Sequence, residues 1–182
     1  LKYDYEILKK PKNLDNFSHM ILPGVGSFKK GMEKLKENNW SQEIIKFVEK
    51  SGFLMGICLG MQLLFERSFE ETKTNGLGLF KGELKLFDKK NLPLPHIGFN
   101  LVNHNNSKIW KNIENPSPFY FVHSYRLKNF DIDANKSLTN YGGNFISFIE
   151  KKNIFGAQFH PEKSHSVGLQ LLKNFFELNN DI

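Results

Sequence analysis

A chain of 182 residues suits a single α/β domain, and 40% hydrophobic with 24% charged residues is the composition of a globular protein. It has no apolar run near the roughly 18–20 residues a bilayer span needs, no secretory signal pattern after Leu1-Lys2-Tyr3-Asp4, and one cysteine, too few for an internal disulfide, so a reducing cytoplasm is expected. The net charge of +6 rests on 25 basic residues of which only Arg67 and Arg126 are arginine. Lysines scattered singly and in pairs make a solvated surface, whereas nucleic-acid readers gather arginine and aromatics on one face. Neither nucleic acid nor membrane is expected as a partner.

Lys2 to Leu8 alternates and stops at Lys9-Lys10-Pro11, which predicts a short strand. His19-Met20-Ile21-Leu22 predicts a second strand, stopped by Pro23-Gly24 and followed by the loop Gly24-Val25-Gly26-Ser27-Phe28. Lys29–Glu37 and Gln42–Lys50 carry apolar residues at helical spacing (Met32/Leu35 and Ile44/Ile45/Val48), with Ser41 as expected N-cap and Gly52 as the stop. Phe53 to Ile57 is an apolar strand leading into a helix from Leu59 to about Phe65. From Gly76 onward, short runs alternate with Gly, Asn and Pro: 82–87, 96–99, 119–125, 145–150 and 154–159. They predict strands, several of them antiparallel, with Tyr141-Gly142-Gly143-Asn144 as a hairpin turn. Val167–Leu178 closes the chain as an amphipathic helix with Val167, Leu171, Leu172, Phe175 and Phe176 on one side. Residues 1–182 form one domain with a mixed sheet; no repeat or linker divides them.

The chemistry concentrates at Gly56-Ile57-Cys58-Leu59-Gly60-Met61-Gln62. A strand that ends in a glycine-flanked turn and passes into a helix is a nucleophile elbow: small flanking residues leave the nucleophile clear, and backbone N–H groups gather beside it. The helix N-terminus favours a thiolate at Cys58. The competing reading is a buried structural cysteine, since free cysteine packs as a small hydrophobe. A nucleophile needs a base, and the last predicted strand delivers His160-Pro161-Glu162. In extended backbone, residues two apart point the same way, so Glu162 can hold the His160 ring while its other nitrogen meets the thiol. An acyl-transfer site also needs oxyanion donors: the N–H of Leu59 after the nucleophile, and one from the glycine-rich loop Gly24-Val25-Gly26.

Four motifs in order carry a resemblance: Pro23-Gly24-Val25-Gly26-Ser27-Phe28, the elbow at 56–62, His123-Ser124-Tyr125, and Phe159-His160-Pro161-Glu162-Lys163-Ser164. Together they resemble the class I (triad-type) glutamine amidotransferases from about Lys2 to the C-terminus. Within that group, Gly60–Glu66, Pro95-His96-Ile97-Gly98-Phe99-Asn100, Phe119–Tyr125, Tyr141-Gly142-Gly143 and Gly168–Phe175 are most similar to the glutaminase subunit of imidazole glycerol phosphate synthase. The resemblance implies an α/β, flavodoxin-like fold with a mixed, mostly parallel central sheet flanked by helices. It implies no cofactor and no metal; the six histidines show no ligand spacing with Cys or acids.

By the same resemblance, Cys58 attacks the side-chain amide of glutamine to form a thioester, His160 moves the protons and Glu162 orients His160. Leu59 and Val25 supply the oxyanion N–H groups. Gly24, Gly26, Gln62, Glu70 and the His123-Ser124-Tyr125 segment recognise glutamine. A carboxylate at Glu70 answers the substrate's α-ammonium, although Glu70 also reads as a solvated loop acid and Glu71 can take its place. Lys163 is expected to pair with an acidic residue of a (β/α)8-barrel cyclase partner in a heterodimer. Phe99 and Tyr120 are expected to cover that partner, while Phe119 and Phe121 suit core and interface equally.

The pattern departs from the family in three places. The family has a strand, a turn and a helix before the segment matching Lys2–Leu8, so the domain is expected to be N-terminally incomplete, with unpaired edges where that strand would sit. Phe99 stands where the histidine-pathway subunits have Trp. Ser164-His165-Ser166-Val167-Gly168 is similar to paralogues that supply ammonia for surface-polysaccharide or flagellar sugar amidation. The readings that follow are a histidine-pathway glutaminase subunit, such a paralogue, or a truncated, inactive binding subunit; Gln62 and Glu70 argue against a peptidase.

Overall fold

The computed structural model describes residues 2–88, 92–127 and 132–179. Its frame is set by strands that apolar runs force inward. β1 (His19–Gly24) and β2 (Phe53–Cys58) run parallel, and β11 (Ile154–Ala157) joins β2 on its other side, also parallel. β10 (Asn144–Lys151) then pairs antiparallel with β11, and β9 (Asn135–Asn140) with β10, giving a five-stranded sheet in the order β1-β2-β11-β10-β9. Every residue of β2 is buried because both faces of the sheet are covered. Phe53, Met55 and Ile57 join Phe148, Phe155, Phe159, Leu171 and Phe175 on one face. Leu54 joins Phe28, Met32, Leu35 and Ile44 on the other. The helices on these faces are α4 (His165–Phe176) and the pair α1 (Phe28–Glu37) and α2 (Trp40–Glu49).

Two smaller sheets extend this frame. β3 (Phe65–Ser68), β4 (Thr74–Asn75), β5 (Phe80–Leu86) and β8 (Tyr125–Leu127) form one in the order β4-β3-β5-β8. β6 (His96–Val102) and β7 (Ser117–His123) form a two-stranded ribbon. In β7 burial alternates, so Phe119 and Phe121 are fully buried core residues while Tyr120 is partly exposed between them. The hairpin turn at 141–143 joins β9 to β10, with Gly142 and Gly143 at φ 62° and 129°, values that favour glycine.

Several expectations are corrected. Residues 2–8 form no strand, although the sequence alternates. No described strand lies beside them, and Tyr5 and Ile7 are 85% and 77% exposed. Alternation alone does not make a strand; a ladder partner does. β1, likewise, is the edge of its sheet among the described residues. Ser41 is not the N-cap of α2: the helix starts at Trp40, and Asn39 takes the cap position in a left-handed conformation (φ 58°) that Asn tolerates. The helix after Cys58, α3, covers only Leu59–Leu63, because Phe65 is drawn into β3 beside Phe80.

The glycines of the elbow answer to packing. A Cβ on Gly60 would lie 1.8 Å from the Leu22 carbonyl oxygen, and one on Gly56 would lie 2.6 Å from that of Gly60. α3 therefore sits directly on the ends of β1 and β2, closer than any side chain permits. Gly60→Ala is expected to cost about 3 kcal/mol or more, or to leave the chain insoluble; a urea unfolding midpoint equal to that of the wild type would contradict this packing account.

Candidate active site

The three parallel strands deliver their carboxyl ends to one place, where α/β sheets bind ligands. Gly24 at the end of β1 is in register with Cys58 at the end of β2. β11 continues through Gln158 and Phe159 to His160. Cys58 itself has φ 53° and ψ −110°, a region that costs a non-glycine residue of the order of 1–3 kcal/mol. The close seat of α3 on Gly56 and Gly60 holds it there. The side chain is 7% exposed, and its Sγ lies 3.8 Å from the Val122 carbonyl oxygen and 4.0 Å from Gln158 Nε2. Leu59 follows as the first residue of α3, where a backbone N–H has no intrahelical acceptor.

His160 is fixed by its backbone before its ring is considered. Its N–H donates to the Tyr120 carbonyl (2.8 Å), and its own carbonyl accepts from Ser164 Oγ (2.6 Å), which in turn accepts the Tyr120 N–H (3.0 Å). The ring donates from Nδ1 to Glu162 Oε1 at 2.6 Å. Glu162 reaches it through a tight 3-10 turn at Pro161–Lys163, so the expected extended His-Pro-Glu segment is replaced by a turn that Pro161 initiates. Nε2 is buried and has no hydrogen-bond partner among the described residues, so no closed bond to the thiol exists in this resting arrangement. The thiol nevertheless acts on the imidazole more strongly than any other group. Cys58 first and Glu162 second outweigh burial and raise His160 to about 9. At neutral pH the imidazole is therefore a cation. Burial opposes ionisation of Glu162, but the His160 hydrogen bond, its own backbone N–H and the His160 and Lys163 charges prevail, holding it below the usual carboxylate range.

The loop at Gly24–Gly26 lies against α3. A Cβ on Gly24 would meet Leu59 Cβ at 3.1 Å, Gly26 has φ 106°, and the Val25 side chain is 80% exposed. What the loop turns toward the elbow is main chain. Glu70 lies at its far end, accepting the Phe28 N–H at 2.5 Å and so capping α1; its own carbonyl accepts the Tyr125 hydroxyl at 3.2 Å. That tie to the site frame distinguishes it from Glu71, which is exposed. Gln62 is buried and donates to the Tyr125 carbonyl (3.2 Å) and Gln158 Oε1 (3.1 Å). Ser124 gives its carbonyl to the Phe87 N–H at 3.1 Å. His123 is turned inward, with Nδ1 on the Tyr125 carbonyl (2.9 Å) and Nε2 on His96 (3.2 Å).

Gln158, His96 and Ser164 are the site residues that reasoning from sequence missed. Gln158 had a signal: a lone amide between Ala157 and Phe159 in an apolar strand, two residues before the base, and only 2% exposed. The three residues expected at a partner surface fall together. Phe99 stacks on His165 (5.2 Å, 7°) and edge-on to Tyr120 (5.6 Å), with Lys163 Nζ 5.8 Å above the Tyr120 ring. Among the described residues no cluster of three His, Cys, Asp or Glu side chains forms a metal site, and no helix is long and apolar enough to cross a membrane.

An elbow cysteine and a carboxylate-held histidine at the carboxyl ends of a parallel sheet have the arrangement of a cysteine-triad site. The chain belongs to the class I glutamine amidotransferases: the family described as "Glutamine amidotransferase class-I" matches residues 1–178. It is 44% identical over 177 residues to the imidazole glycerol phosphate synthase subunit HisH of Caldanaerobacter subterraneus, covering 97% of this chain and 87% of that one. It is 42% identical to the HisH subunit of Bacillus subtilis, covering 96% and 84%. Among solved structures, PurLQS from Thermotoga maritima shares the fold with a TM-score of 0.69 at 21% identity, over 92% of this chain and 82% of that one. A crystal structure titled glutamine amidotransferase does so at 0.68 and 16%, over 90% and 82%.

Because the folded-state value for His160 lies above its ordinary 6.5, its imidazolium stabilises the fold in full below about pH 6.5 and loses that contribution as pH rises through about 9. An NMR titration should show the His160 pKa falling in both Cys58→Ala and Glu162→Gln, and further in Cys58→Ala. An unchanged value in Cys58→Ala, or a larger fall in Glu162→Gln, would contradict the assigned order of influences.

Proposed function

We propose that this chain is the glutaminase subunit of an imidazole glycerol phosphate synthase. In this reading it hydrolyses L-glutamine and passes ammonia to a (β/α)8-barrel partner that makes imidazole glycerol phosphate and aminoimidazole carboxamide ribotide in histidine biosynthesis. The observation that carries the chemistry is His160, whose Nδ1 is held by Glu162 at 2.6 Å and whose pKa is raised to about 9 by Cys58 first and Glu162 second. The Cys58 thiolate attacks the amide carbon. The oxyanion that forms is met by the N–H groups of Leu59 and Val25. His160 gives its Nε2 proton to the leaving nitrogen, ammonia departs, and a glutamyl thioester remains. Water then loses a proton to His160 and attacks the thioester, releasing glutamate and restoring the thiolate. Gly24, Gly26 and Gln62 frame the substrate, the 123–125 segment closes over it, and the Glu70 carboxylate meets its α-ammonium.

The pathway is supported by the HisH names of relatives at 44% and 42% identity over most of both chains. The complete triad favours an active subunit over a binding-only one. The partner surface is supported by β6, where Ile97, Phe99 and Leu101 are 59%, 50% and 49% exposed at alternate positions. They face the same way as Val122, Tyr120 and Pro118, their register partners on β7. A continuous exposed apolar ribbon flanked by Lys163 is the surface a partner subunit covers. The complex is a heterodimer, working in the cytoplasm.

Glutamate release, measured with a barrel synthase present, tests the reading. Cys58→Ala and His160→Ala should each lower it by about a thousandfold or more, and unchanged turnover in Cys58→Ala would refute the triad. Leu101→Glu should weaken association with the barrel by about tenfold or more while leaving hydrolysis by the free chain intact. Equal affinity would move the interface off this ribbon.

A further inference from the structure

The inner side of the β6–β7 ribbon carries two buried imidazoles, and the hydrogen bonds around them assign every proton. Asn100 Oδ1 accepts the Leu101 N–H (2.8 Å), so its amide nitrogen is the group facing the Asn140 carbonyl (2.9 Å) and His96 Nε2 (3.3 Å). His96 Nε2 is therefore an acceptor, and in a neutral ring the proton sits on Nδ1. That Nδ1–H points at His123 Nε2 at 3.2 Å, which must accept. The remaining His123 proton lies on Nδ1 and is donated to the Tyr125 carbonyl at 2.9 Å. The same carbonyl receives Gln62 Nε2, whose second hydrogen goes to Gln158 Oε1, and Gln158 Nε2 approaches Cys58 Sγ.

From Asn100 to the Tyr125 carbonyl the donation runs in one sense, and Gln62 donates into that carbonyl from the other side; aromatic rings pack the imidazoles in place. The His96 ring is stacked between Tyr141 (3.9 Å, 21°) and Phe121 (4.8 Å, 23°), and Phe87 and Phe145 complete the aromatic surround of both imidazoles. Burial holds His96 down to about 4 and His123 to about 3, and the His160 cation also acts against a charge on His123. A second proton on either ring would place donor against donor, at Asn100 or between the two imidazoles. Switching the tautomer of His123 would set a lone pair against the Tyr125 carbonyl.

We propose that His96 is a positioning residue for glutamine binding: acting through His123, it fixes the Tyr125 carbonyl on which Gln62 and the 123–125 segment depend. This rests on the glutaminase reading above. His96 touches no reacting atom, and its influence falls on the substrate-framing carbonyl and not on the Cys58–His160 pair. Losing it raises KM for glutamine and leaves kcat nearly unchanged. A merely destabilising substitution does the reverse, lowering the active fraction and hence kcat, with KM constant.

The experiment pairs His96→Leu, which leaves His123 Nε2 unpartnered, with His96→Asn, whose side-chain nitrogen can still donate to it. Glutamine hydrolysis by the whole chain, with a barrel synthase present, should show KM raised about tenfold in His96→Leu, the worth of one buried hydrogen bond, with kcat within about threefold of wild type. His96→Asn should recover KM to within about threefold. In the wild type, 15N spectra of the imidazoles from pH 8 to pH 5 should show both rings neutral and protonated on Nδ1, the minor tautomer of free histidine. Unchanged KM in a folded His96→Leu variant, or an Nε2–H or imidazolium form at either ring, overturns the proposal. Should His96→Leu fail to fold, a His96→Asn variant with KM still raised tenfold overturns it as well. A wild-type chain that releases no glutamate with a barrel synthase present sinks the glutaminase reading, and the positioning role with it; that result is distinct from active enzyme with an unmoved KM.

Discussion

The close seat of α3 on the ends of β1 and β2 is the constraint on which the site depends. With no side chain at Gly56 or Gly60, the helix settles against the Leu22 carbonyl, and the chain between strand and helix takes Cys58 through φ 53°. The strain at that residue is small beside the burial of Leu54, Met55, Leu59 and Met61 around it, all at 5% exposure or less. Packing on both sheet faces thus sustains a backbone geometry that no local preference would choose. It sets the sulfur beside the end of β11, 4.0 Å from Nε2 of Gln158, which stands two residues before His160.

His160 is held in a second way. A parallel strand alone would leave His160 at a frayed end, but the Tyr120 backbone and the Ser164 hydroxyl close a ring of hydrogen bonds around its backbone. Ser164 is fully buried, and Gly168 of α4 packs directly on the Pro161 carbonyl, where a Cβ would come within 1.9 Å. The C-terminal helix, the turn Pro161–Lys163 and the β6–β7 ribbon are therefore one assembly. Tyr120 is common to both sides of it: its backbone holds His160, and its partly exposed ring packs with Phe99 under Lys163 Nζ, while Phe99 stacks on His165. A partner docking on that ribbon would press on the strand that fixes the base on one side and on the His96–His123 chain on the other.

Much of this was legible in the sequence because the chemistry is local. Cys58 with its two glycines, and His160 with Glu162, each occupy a few consecutive residues whose types admit few other uses. The strands feeding them were legible because they are buried on both faces and read as apolar runs. Lys2–Leu8 misled because alternation reports a preference for extended backbone, while a strand also requires a neighbour. The short strands β3, β4 and β8 were illegible for the opposite reason: they are two to four residues long, and their pairings, not their composition, make them strands. The links from Gln62 to Gln158 and from His96 to His123 span 96 and 27 positions and follow no periodicity. Glu70 was found as a candidate substrate ligand, but its second task as cap of α1 depends on a contact 42 residues away.

The central claim is that the strained Cys58, activated by His160, is the nucleophile toward the side-chain amide of glutamine. An electrophilic glutamine analogue bearing a diazoketone in place of the amide tests it most directly, followed by intact-mass and peptide analysis. The account predicts one adduct per chain, on Cys58, slowed in His160→Ala and prevented by competing glutamine. Labelling that persists in Cys58→Ser, or that glutamine does not suppress, would contradict it.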